Sequence, residues 1–557
     1  MASKNTTEHL VNICALKGIE TIIISPGSRN APLIVGFNQH PKIKCLSIQD
    51  ESSAVFFALG MAQQSRKTVA LVCTSGTAAL NYAPAIAEAY YQKIPLLILT
   101  ADRPQEWVDQ ADGQTIRQNN IYSNYIKKSF QLPVKIDCDD ESWHVSRIIS
   151  EAINNTQYPD KGPVHINIPF REPLYNGKIE ISKDYKIIEI IQSEPSLPKK
   201  DLDNLVSDWN KFKSKIVLVG MGDEDVELNY LLEKLSTDNS VVILSETTSN
   251  LNSDEFFPCI DKLLASISKE KDFSPELLIT IGGAIVSKKI KAFFRNHKPQ
   301  EHWHISEIDL HIDTYQSLTR NVCVDAKYLF NSILDKIKAD KKEFKARFLS
   351  KKIHIENKHN EFLEKASFSD LKAFDTILQA IPENSNLHLA NSTPVRYAQL
   401  FIPQKKLIFN SNRGTSGIDG CVSTAIGAAY ENKIPTTIIT GDIGFFYDSN
   451  SLWNNHISPL LRIIVINNSG GGIFRIIDGP DKTEELEEFF ETTHNLNFGD
   501  IAKTFDLSYY FCDDLESLKS QLNDFYDLSK NKAAILEIKT PRLKNAKVLK
   551  DYFEFLK

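Results

Sequence analysis

Short β-branched apolar runs recur along the chain, separated by segments long enough to be helices. The first set lies at residues 21–25, 44–48, 68–73, 95–99 and 164–168. A strand covered by helices on both faces of a parallel sheet is buried all round, so it reads as a continuous apolar run rather than an alternating one. A second set follows at 216–219, 241–244 and 277–281, and a third at 387–390, 406–409, 436–440, 463–466 and 534–538. The pattern predicts an α/β protein of three doubly wound parallel-sheet domains, over residues 1–181, 201–345 and 366–557. The Lys-, Ser- and Pro-containing stretch 182–201 reads as a linker. The charged stretch 335–365 reads as a solvated connecting helix.

Charge narrows what such domains can bind. With 64 Lys and Arg against 71 Asp and Glu, the net charge of −7 gives no overall attraction for nucleic acid or an anionic membrane. An anionic ligand would have to be captured by a local cluster of cations. The eight cysteines form no CxxC pair and no Cys/His metal spacing, so they read as reduced packing residues. The first 18 residues lack the basic start and apolar run of a leader, and no uncharged apolar stretch approaches the ~18 residues of a membrane span. The cytoplasm is the expected compartment.

The sharpest chemical signal is in the third block. The run 436–440 leads at once into Gly441 and Asp442, and the run 463–466 leads into Asn467, Asn468, Ser469 and Gly470. Open parallel sheets bind ligands at the carboxyl ends of their strands. Here two such ends offer a carboxylate, an amide oxygen and the carbonyls of a glycine-rich turn, which are hard donors suited to Mg²⁺. Taken alone, Asp442 would be a helix cap and Asn468 a turn residue. Their combination, with Asn468 following Asp442 by 468 − 442 = 26 residues, is far more specific. In the first block, the run 44–48 leads into Gln49, Asp50 and Glu51 and then the small-residue stretch SSAVFFALGMA. On its own Glu51 would be a charge that complements a helix dipole.

These motifs resemble those of thiamine-diphosphate enzymes: strand-GD followed by strand-NN, and a Glu that opens a helix in an earlier domain. Ile443 stands where the third motif position is usually Gly. Further segments narrow the resemblance: SPGSRNAPL (25–33), TSGTA (74–78), LTADRP (99–104), GQTIRQ (113–118), NIPFREPLY (167–175), NST (391–393), SNRGTSGIDG (411–420), GDIGFFYD (441–448) and NNSGGGIF (467–474). Together they are similar to the 2-succinyl-5-enolpyruvyl-6-hydroxy-3-cyclohexene-1-carboxylate synthases of menaquinone biosynthesis. The resemblance spans nearly the full length and is weakest in the middle block.

The resemblance implies a pyrimidine-binding domain, a middle Rossmann-like domain and a diphosphate-binding domain. It implies thiamine diphosphate with Mg²⁺, or Mn²⁺ in its place, and a homodimer or tetramer with the cofactor between subunits. The implied reaction decarboxylates 2-oxoglutarate and adds the four-carbon unit to isochorismate. Glu51 would activate the cofactor from a relatively dry site, and Asp442, Asn468 and the Gly470 carbonyl would hold the metal. Ser392, Ile418, Gly441 and Ile473 would contact the cofactor. Ser28, Arg29, Arg103, Gln114 and Lys288 would lie near isochorismate, with Lys289 the alternative to Lys288. Ser392, Arg396 and Arg413 would meet the oxoacid carboxylates, and Ile473, Phe474 and Ile477 would form an apolar wall. Two dicarboxylate substrates on an acidic protein require clustered arginines, which bind carboxylates bidentately.

Two other functions compete with that one. An acetohydroxyacid-synthase-like carboligase would share the cofactor site but need fewer cations for pyruvate. A non-catalytic subunit of cofactor-binding fold would not need Glu51, Asp442 and Asn468 all intact. In the middle block, Gly220–Met221–Gly222 and Gly282–Gly283 follow strands, and a bare strand-glycine turn is read as packing rather than nucleotide binding.

Overall fold

The computed structural model describes residues 6–175, 178–340, 343–403, 405–477 and 479–557. Residues 1–5, 176–177, 341–342, 404 and 478 lie outside them, including the start of the first expected domain and part of the charged 335–365 stretch.

Among the described residues the strands form three sheets, and every pairing between strands is parallel. The first contains β1 (Thr21–Ile24), β2 (Lys44–Ser47), β3 (Val69–Cys73), β4 (Leu96–Asp102), β5 (Lys128–Gln131) and β6 (Val164–Pro169), in the order β2-β1-β3-β4-β6-β5. The second contains β7 (Lys215–Val219), β8 (Val241–Ser245), β9 (Leu277–Ile281), β10 (Glu301–Ile305) and β11 (Arg320–Val322), in the order β8-β7-β9-β10-β11. The third contains β12 (Ser385–Leu389), β13 (Leu407–Asn410), β14 (Thr436–Gly441), β15 (Leu461–Asn467), β16 (Ser508–Cys512) and β17 (Ala534–Lys539), in the order β13-β12-β14-β15-β17-β16. Each chain segment therefore steps once outward from its first strand, then returns past it and runs the other way; in the first and third sheets it reaches the far edge at β5 and β16 and steps back once to β6 and β17. The reversal leaves a crevice at the carboxyl ends of β1 and β3, of β7 and β9, and of β12 and β14.

Strands β3, β4, β6, β7, β8, β9, β12 and β17 are buried almost throughout, which is why their apolar runs are unbroken. Strands β5, β10, β11 and β16 were not legible as apolar runs. Three of them are sheet edges, and β5 and β16 bury only alternate positions or fewer. In β10 the buried residues include His302 and His304, which share Thr280 Oγ1 at 3.0 and 2.9 Å.

The charged stretch is corrected by the structure. It contains the helix Phe344–Lys365, and this is a packed strut rather than a solvated connector. Phe344, Phe348, Ile355, His359 and Leu363 are buried along one stripe, and the charges that dominate the composition occupy the rest of the surface. Lys262 pairs with Glu356 at 2.7 Å on the middle-domain side, and His359 Nδ1 meets Tyr552 Oη at 2.7 Å on the third. The linker 182–201 has no regular structure before the helix Lys199–Trp209 begins. It is tied to the first domain by Tyr185 Oη donating to Glu8 Oε1 at 2.6 Å and Lys17 Nζ donating to the Ile188 carbonyl at 2.7 Å.

The first and third domains meet through the helices Glu51–Ser65 and Cys421–Asn432. They approach at glycines: a Cβ on Gly60 would lie 2.0 Å from the Thr424 carbonyl oxygen, and one on Gly427 would lie 2.0 Å from the Phe57 carbonyl oxygen. Backbone cannot yield as a flexible side chain can, so overpacking here should cost roughly 1–3 kcal/mol or more. Gly427→Ala is expected to lower the thermal unfolding midpoint by several degrees in calorimetry. An unchanged midpoint would show that the two helices do not need this approach.

Candidate functional site

The third sheet builds its site from strand ends held in register. Gly441 is paired with Ile466, so Asp442 and the Asn467–Asn468 pair leave the sheet side by side. Asp442 is the first residue of the helix Asp442–Tyr447, whose N-cap Gly441 offers no side chain. One Asp442 oxygen accepts from the Ile443 N–H at 2.7 Å, a local cap, and the other accepts from the Gly470 N–H at 2.9 Å, which ties the two loops together. Gly470 has φ +152°, and a Cβ there would lie 2.8 Å from the Glu491 carbonyl oxygen, so only glycine fits.

The two asparagines have separate tasks. Asn467 donates to Glu537 Oε1 at 2.6 Å and is structural. Asn468 Oδ1 is buried and has no hydrogen-bond partner among the described residues. A buried acceptor left unmade is costly unless something fills the site. No group of three His, Cys, Asp or Glu side chains suited to a metal occurs among the described residues. A cation here would be held by oxygens, from the Asp442 carboxylate, the Asn468 amide and the Gly470 carbonyl, which also accepts from the Gly472 N–H at 3.0 Å; donors of that kind fit a hard divalent ion. His494 was missed in the sequence: its Nε2 lies 3.2 Å from Asp442 Oδ2, and no motif or spacing marks it.

Around this centre lie the other third-domain candidates. Ser392 occupies the left-handed region at φ 74°, a strained placement for a non-glycine residue and one that concentrates at functional sites. It follows Asn391, whose amide donates to the Asn412 and Gly417 carbonyls, both at 2.6 Å. Arg413 Nη1 donates to Asn391 Oδ1 at 2.8 Å, and Arg396 lies on the helix Pro394–Ala398. The Nε atoms of both arginines are buried without a partner among the described residues. Burial and then the neighbouring Arg396 hold the Arg413 guanidinium below its usual range. Ile418 is half-buried near Gly444, and Ile473, Phe474 and Ile477 are half-buried in the turn after Gly472. Phe474 packs on Phe490 with ring centres 5.6 Å apart. Arg475, within that turn, is neutralised by the buried Glu491 through contacts of 2.5 and 2.7 Å, so it does not join the cation cluster.

The first sheet repeats the arrangement with different chemistry. Ser28 and Arg29 follow β1, and Arg103 follows β4. The Arg29 N–H donates to Thr74 Oγ1 at 3.3 Å, which joins the loops after β1 and β3. Arg29 is buried, and its Nη2 lies 3.2 Å from Glu172; Arg103 Nη1 lies 3.2 Å from Asp112, with its Nε buried and unpartnered among the described residues. Burial first, then Arg103, holds Arg29 below its usual range. Ser28 and Gln114 are exposed, Gln114 at φ 56° beside Gly76. Glu51 opens its helix but does not cap it: Asp50 accepts from the Ser53 N–H at 2.8 Å. Glu51 is half-buried in the single chain and accepts from Asn81 at 3.4 Å.

A second carboxylate joins the two domains. Glu88, buried on the helix Ala83–Gln92, accepts from the Gly414 N–H at 2.7 Å and from the Thr415 N–H and hydroxyl at 2.6 Å each. It holds the loop of Arg413 and Ile418 against the first domain. A lone Glu in the apolar run APAIAEA was the available signal.

In the middle domain the glycine turns pack on each other. A Cβ on Gly220 would lie 2.1 Å from the Gly283 carbonyl oxygen, and the N–H groups of Gly220, Met221, Gly222 and Gly283 all donate to main-chain carbonyls. Lys288 is exposed at the start of the helix Lys288–Asn296. Lys289 lies 3.1 Å from the centre of the Phe553 ring, and burial pushes it down to about 8. Lys291, one turn beyond Lys288, is lowered by burial and then by Arg413, with Arg396 also contributing.

Residues 4–122 match the family described as thiamine pyrophosphate enzyme, N-terminal TPP binding domain, and residues 192–389 match the middle domain of thiamine pyrophosphate enzymes. Relatives named 2-succinyl-5-enolpyruvyl-6-hydroxy-3-cyclohexene-1-carboxylate synthase align over almost the whole length. That of Christiangramia forsetii is 44% identical over 98% of this chain and 98% of its own. That of Flavobacterium johnsoniae is 44% identical over 99% and 98%, and that of Porphyromonas gingivalis 39% over 100% and 98%. With identity at this level over both full lengths, the chain belongs to the 2-succinyl-5-enolpyruvyl-6-hydroxy-3-cyclohexene-1-carboxylate synthase family of thiamine-diphosphate enzymes.

Proposed function

We propose that this protein decarboxylates 2-oxoglutarate and adds the remaining four-carbon unit to isochorismate, releasing CO₂ and forming 2-succinyl-5-enolpyruvyl-6-hydroxy-3-cyclohexene-1-carboxylate. The observation that carries this reading is the two pairs of neighbouring arginines, Arg29 with Arg103 and Arg396 with Arg413, one pair beside each open crevice. Glu172 and Asp112 each answer one charge of the first pair, while the buried Nε atoms of Arg103, Arg396 and Arg413 have no partner among the described residues and are left for an anion. Two pairs suit two substrates that each carry two carboxylates.

Asp442, Asn468 and the Gly470 carbonyl would hold Mg²⁺, or Mn²⁺, and through it the diphosphate, while Gly441, Ser392, Ile418 and Ile473 would contact the cofactor. Bound thiamine diphosphate supplies the electron sink that decarboxylation of a 2-oxoacid needs. Glu51 would hold a proton at N1′ of the aminopyrimidine, a task for which Asp50 frees it by capping the helix. Ser392, Arg396 and Arg413 would bind the carboxylates of 2-oxoglutarate. Ser28, Arg29, Arg103, Gln114 and Lys288 would bind isochorismate, and Phe474 and Ile477 would exclude water from the reacting carbons. Since Glu51 is only half-buried in one chain, a second subunit would complete its enclosure, which favours a dimer or tetramer. The eight free cysteines agree with a reducing compartment such as the cytoplasm, and no described helix is long and apolar enough to cross a membrane.

Three outcomes follow. Asp442→Ala should abolish Mg²⁺-dependent binding of thiamine diphosphate in calorimetry while the fold persists; unchanged affinity would rule out the metal assignment. Glu51→Gln should slow hydrogen–deuterium exchange at cofactor C2 by roughly 10²–10⁴-fold while the cofactor still binds. Exchange at the wild-type rate would reduce Glu51 to a helix-end charge. In steady-state kinetics, 2-oxoglutarate should be strongly preferred to pyruvate, because a site built for a charged group rejects the analogue lacking it. Arg396→Ala should raise KM chiefly for 2-oxoglutarate and Arg103→Ala chiefly for isochorismate, each by roughly 30-fold to a few thousand-fold, about 2–5 kcal/mol for a truncated charge pair. Equal turnover of pyruvate would defeat the substrate assignment. Equal effects of both variants on both substrates would defeat the division of roles.

A further inference from the structure

Asp370 is the first residue of the helix Asp370–Ala380, where a carboxylate commonly answers the helix dipole. Its surroundings assign it another task. The capping is done by Ser369, whose hydroxyl accepts from the Lys372 N–H. Asp370 is 1% exposed and faces the loops after β15 and β17 instead. Its Oδ1 accepts from Thr540 Oγ1 at 2.6 Å and from Asn545 Nδ2 at 2.9 Å, and its Oδ2 accepts from Asn468 Nδ2 at 3.1 Å. Its own N–H donates to Asn545 Oδ1 at 2.9 Å, which fixes the Asn545 amide the same way round. Three donors therefore converge on one carboxylate.

We propose that Asp370 is a positioning residue that orients the Asn468 amide, holding Nδ2 inward so that Oδ1 is presented to the metal. An ionised carboxylate only accepts, so the Asn468 NH₂ must point at it. The oxygen then faces the opposite way, and it is this buried Oδ1 that has no partner among the described residues. An amide is a metal ligand through oxygen alone, so a flip would replace the ligand with a donor. Partners of this kind, one bond removed from the ligand, typically change metal affinity by roughly 10–100-fold when altered. The inference rests on the proposed role of Asn468 as a ligand.

Asp370→Asn separates positioning from filling space. Asn545 cannot turn, because its oxygen is engaged by the Asp370 N–H, so the new side chain must keep its oxygen toward Asn545 and Thr540. Its NH₂ then meets the Asn468 NH₂, and relief comes from turning Asn468 so that Oδ1 leaves the metal. The exchange Asp370→Asn with Asn468→Asp reverses the polarity: the new amide donates to one oxygen of residue 468 and leaves the other for the metal.

The experiment is calorimetric titration of the cofactor-free protein with thiamine diphosphate in the presence and absence of Mg²⁺, alongside thermal unfolding of each variant without ligand. Asp370→Asn should lower Mg²⁺-dependent affinity by roughly 10–100-fold. The double exchange should bring it back to within a few-fold of wild type, and should fold even where the single variant does not. Unchanged affinity in Asp370→Asn, or a double exchange that fails to fold or to regain affinity, overturns the proposal. Asn468→Ala distinguishes the underlying reading: if it keeps full Mg²⁺-dependent affinity, Asn468 is not a ligand and both ideas fall. If it loses affinity while Asp370→Asn does not, only the positioning role falls.

Discussion

Where the second strand of a parallel sheet lies on one side of the first and the third on the other, a crevice must open at the carboxyl ends of the first and third, because the connections there leave toward opposite faces. All three sheets of this protein have that arrangement. What differs is how each crevice is lined. The first is bordered by Arg29 and Thr74, the third by Ser392 and Asp442. In the middle one Gly220 and Gly283 approach so closely that no side chain could come between them.

Electrostatics then decides what the open edges accept. The protein is net acidic, yet its arginines are paired beside the two crevices and partly stripped of water. In the first domain Glu172 and Asp112 each answer one of these charges at 3.2 Å, whereas the buried carboxylates near Arg413 hold backbone. Glu88 holds the loop of Arg413, and Glu246 accepts from the Val286 and Ser287 N–H groups at 2.7 and 2.8 Å, burial pushing it up to about 7. Arg475 shows the contrast: paired with buried Glu491, it stiffens the turn and is unavailable to a ligand.

Most strands were legible because burial leaves an unbroken apolar run. Strands β5, β10, β11 and β16 were not, since polar residues interrupt their few apolar positions, as Lys128, Ser129 and Gln131 do in β5 and His302 and His304 in β10. The charged helix Phe344–Lys365 was misjudged for a related reason: its buried stripe is narrow, and charge content outweighed the spacing of Phe344, Phe348, Ile355 and Leu363. Motif and strand end together pointed to Asp442, Asn468 and the arginines. Glu88 and Asp370 were hidden because their partners lie far away in the chain: Glu88 meets residues 326 and 327 positions on, and Asp370 meets residues 98 to 175 positions on. Contacts at that range are products of the fold and leave no local pattern.

Cofactor binding here would depend on oxygen donors from two adjacent strand ends meeting at one point. Anomalous X-ray scattering from crystals grown with thiamine diphosphate and Mn²⁺ tests this directly. A single metal peak should lie at roughly 2.1 Å, the distance of octahedral Mg²⁺-type coordination, from an Asp442 carboxylate oxygen, Asn468 Oδ1 and the Gly470 carbonyl oxygen, with the diphosphate on its open side. A peak at any other group of residues, or a diphosphate bound at the middle-domain glycines, would contradict it.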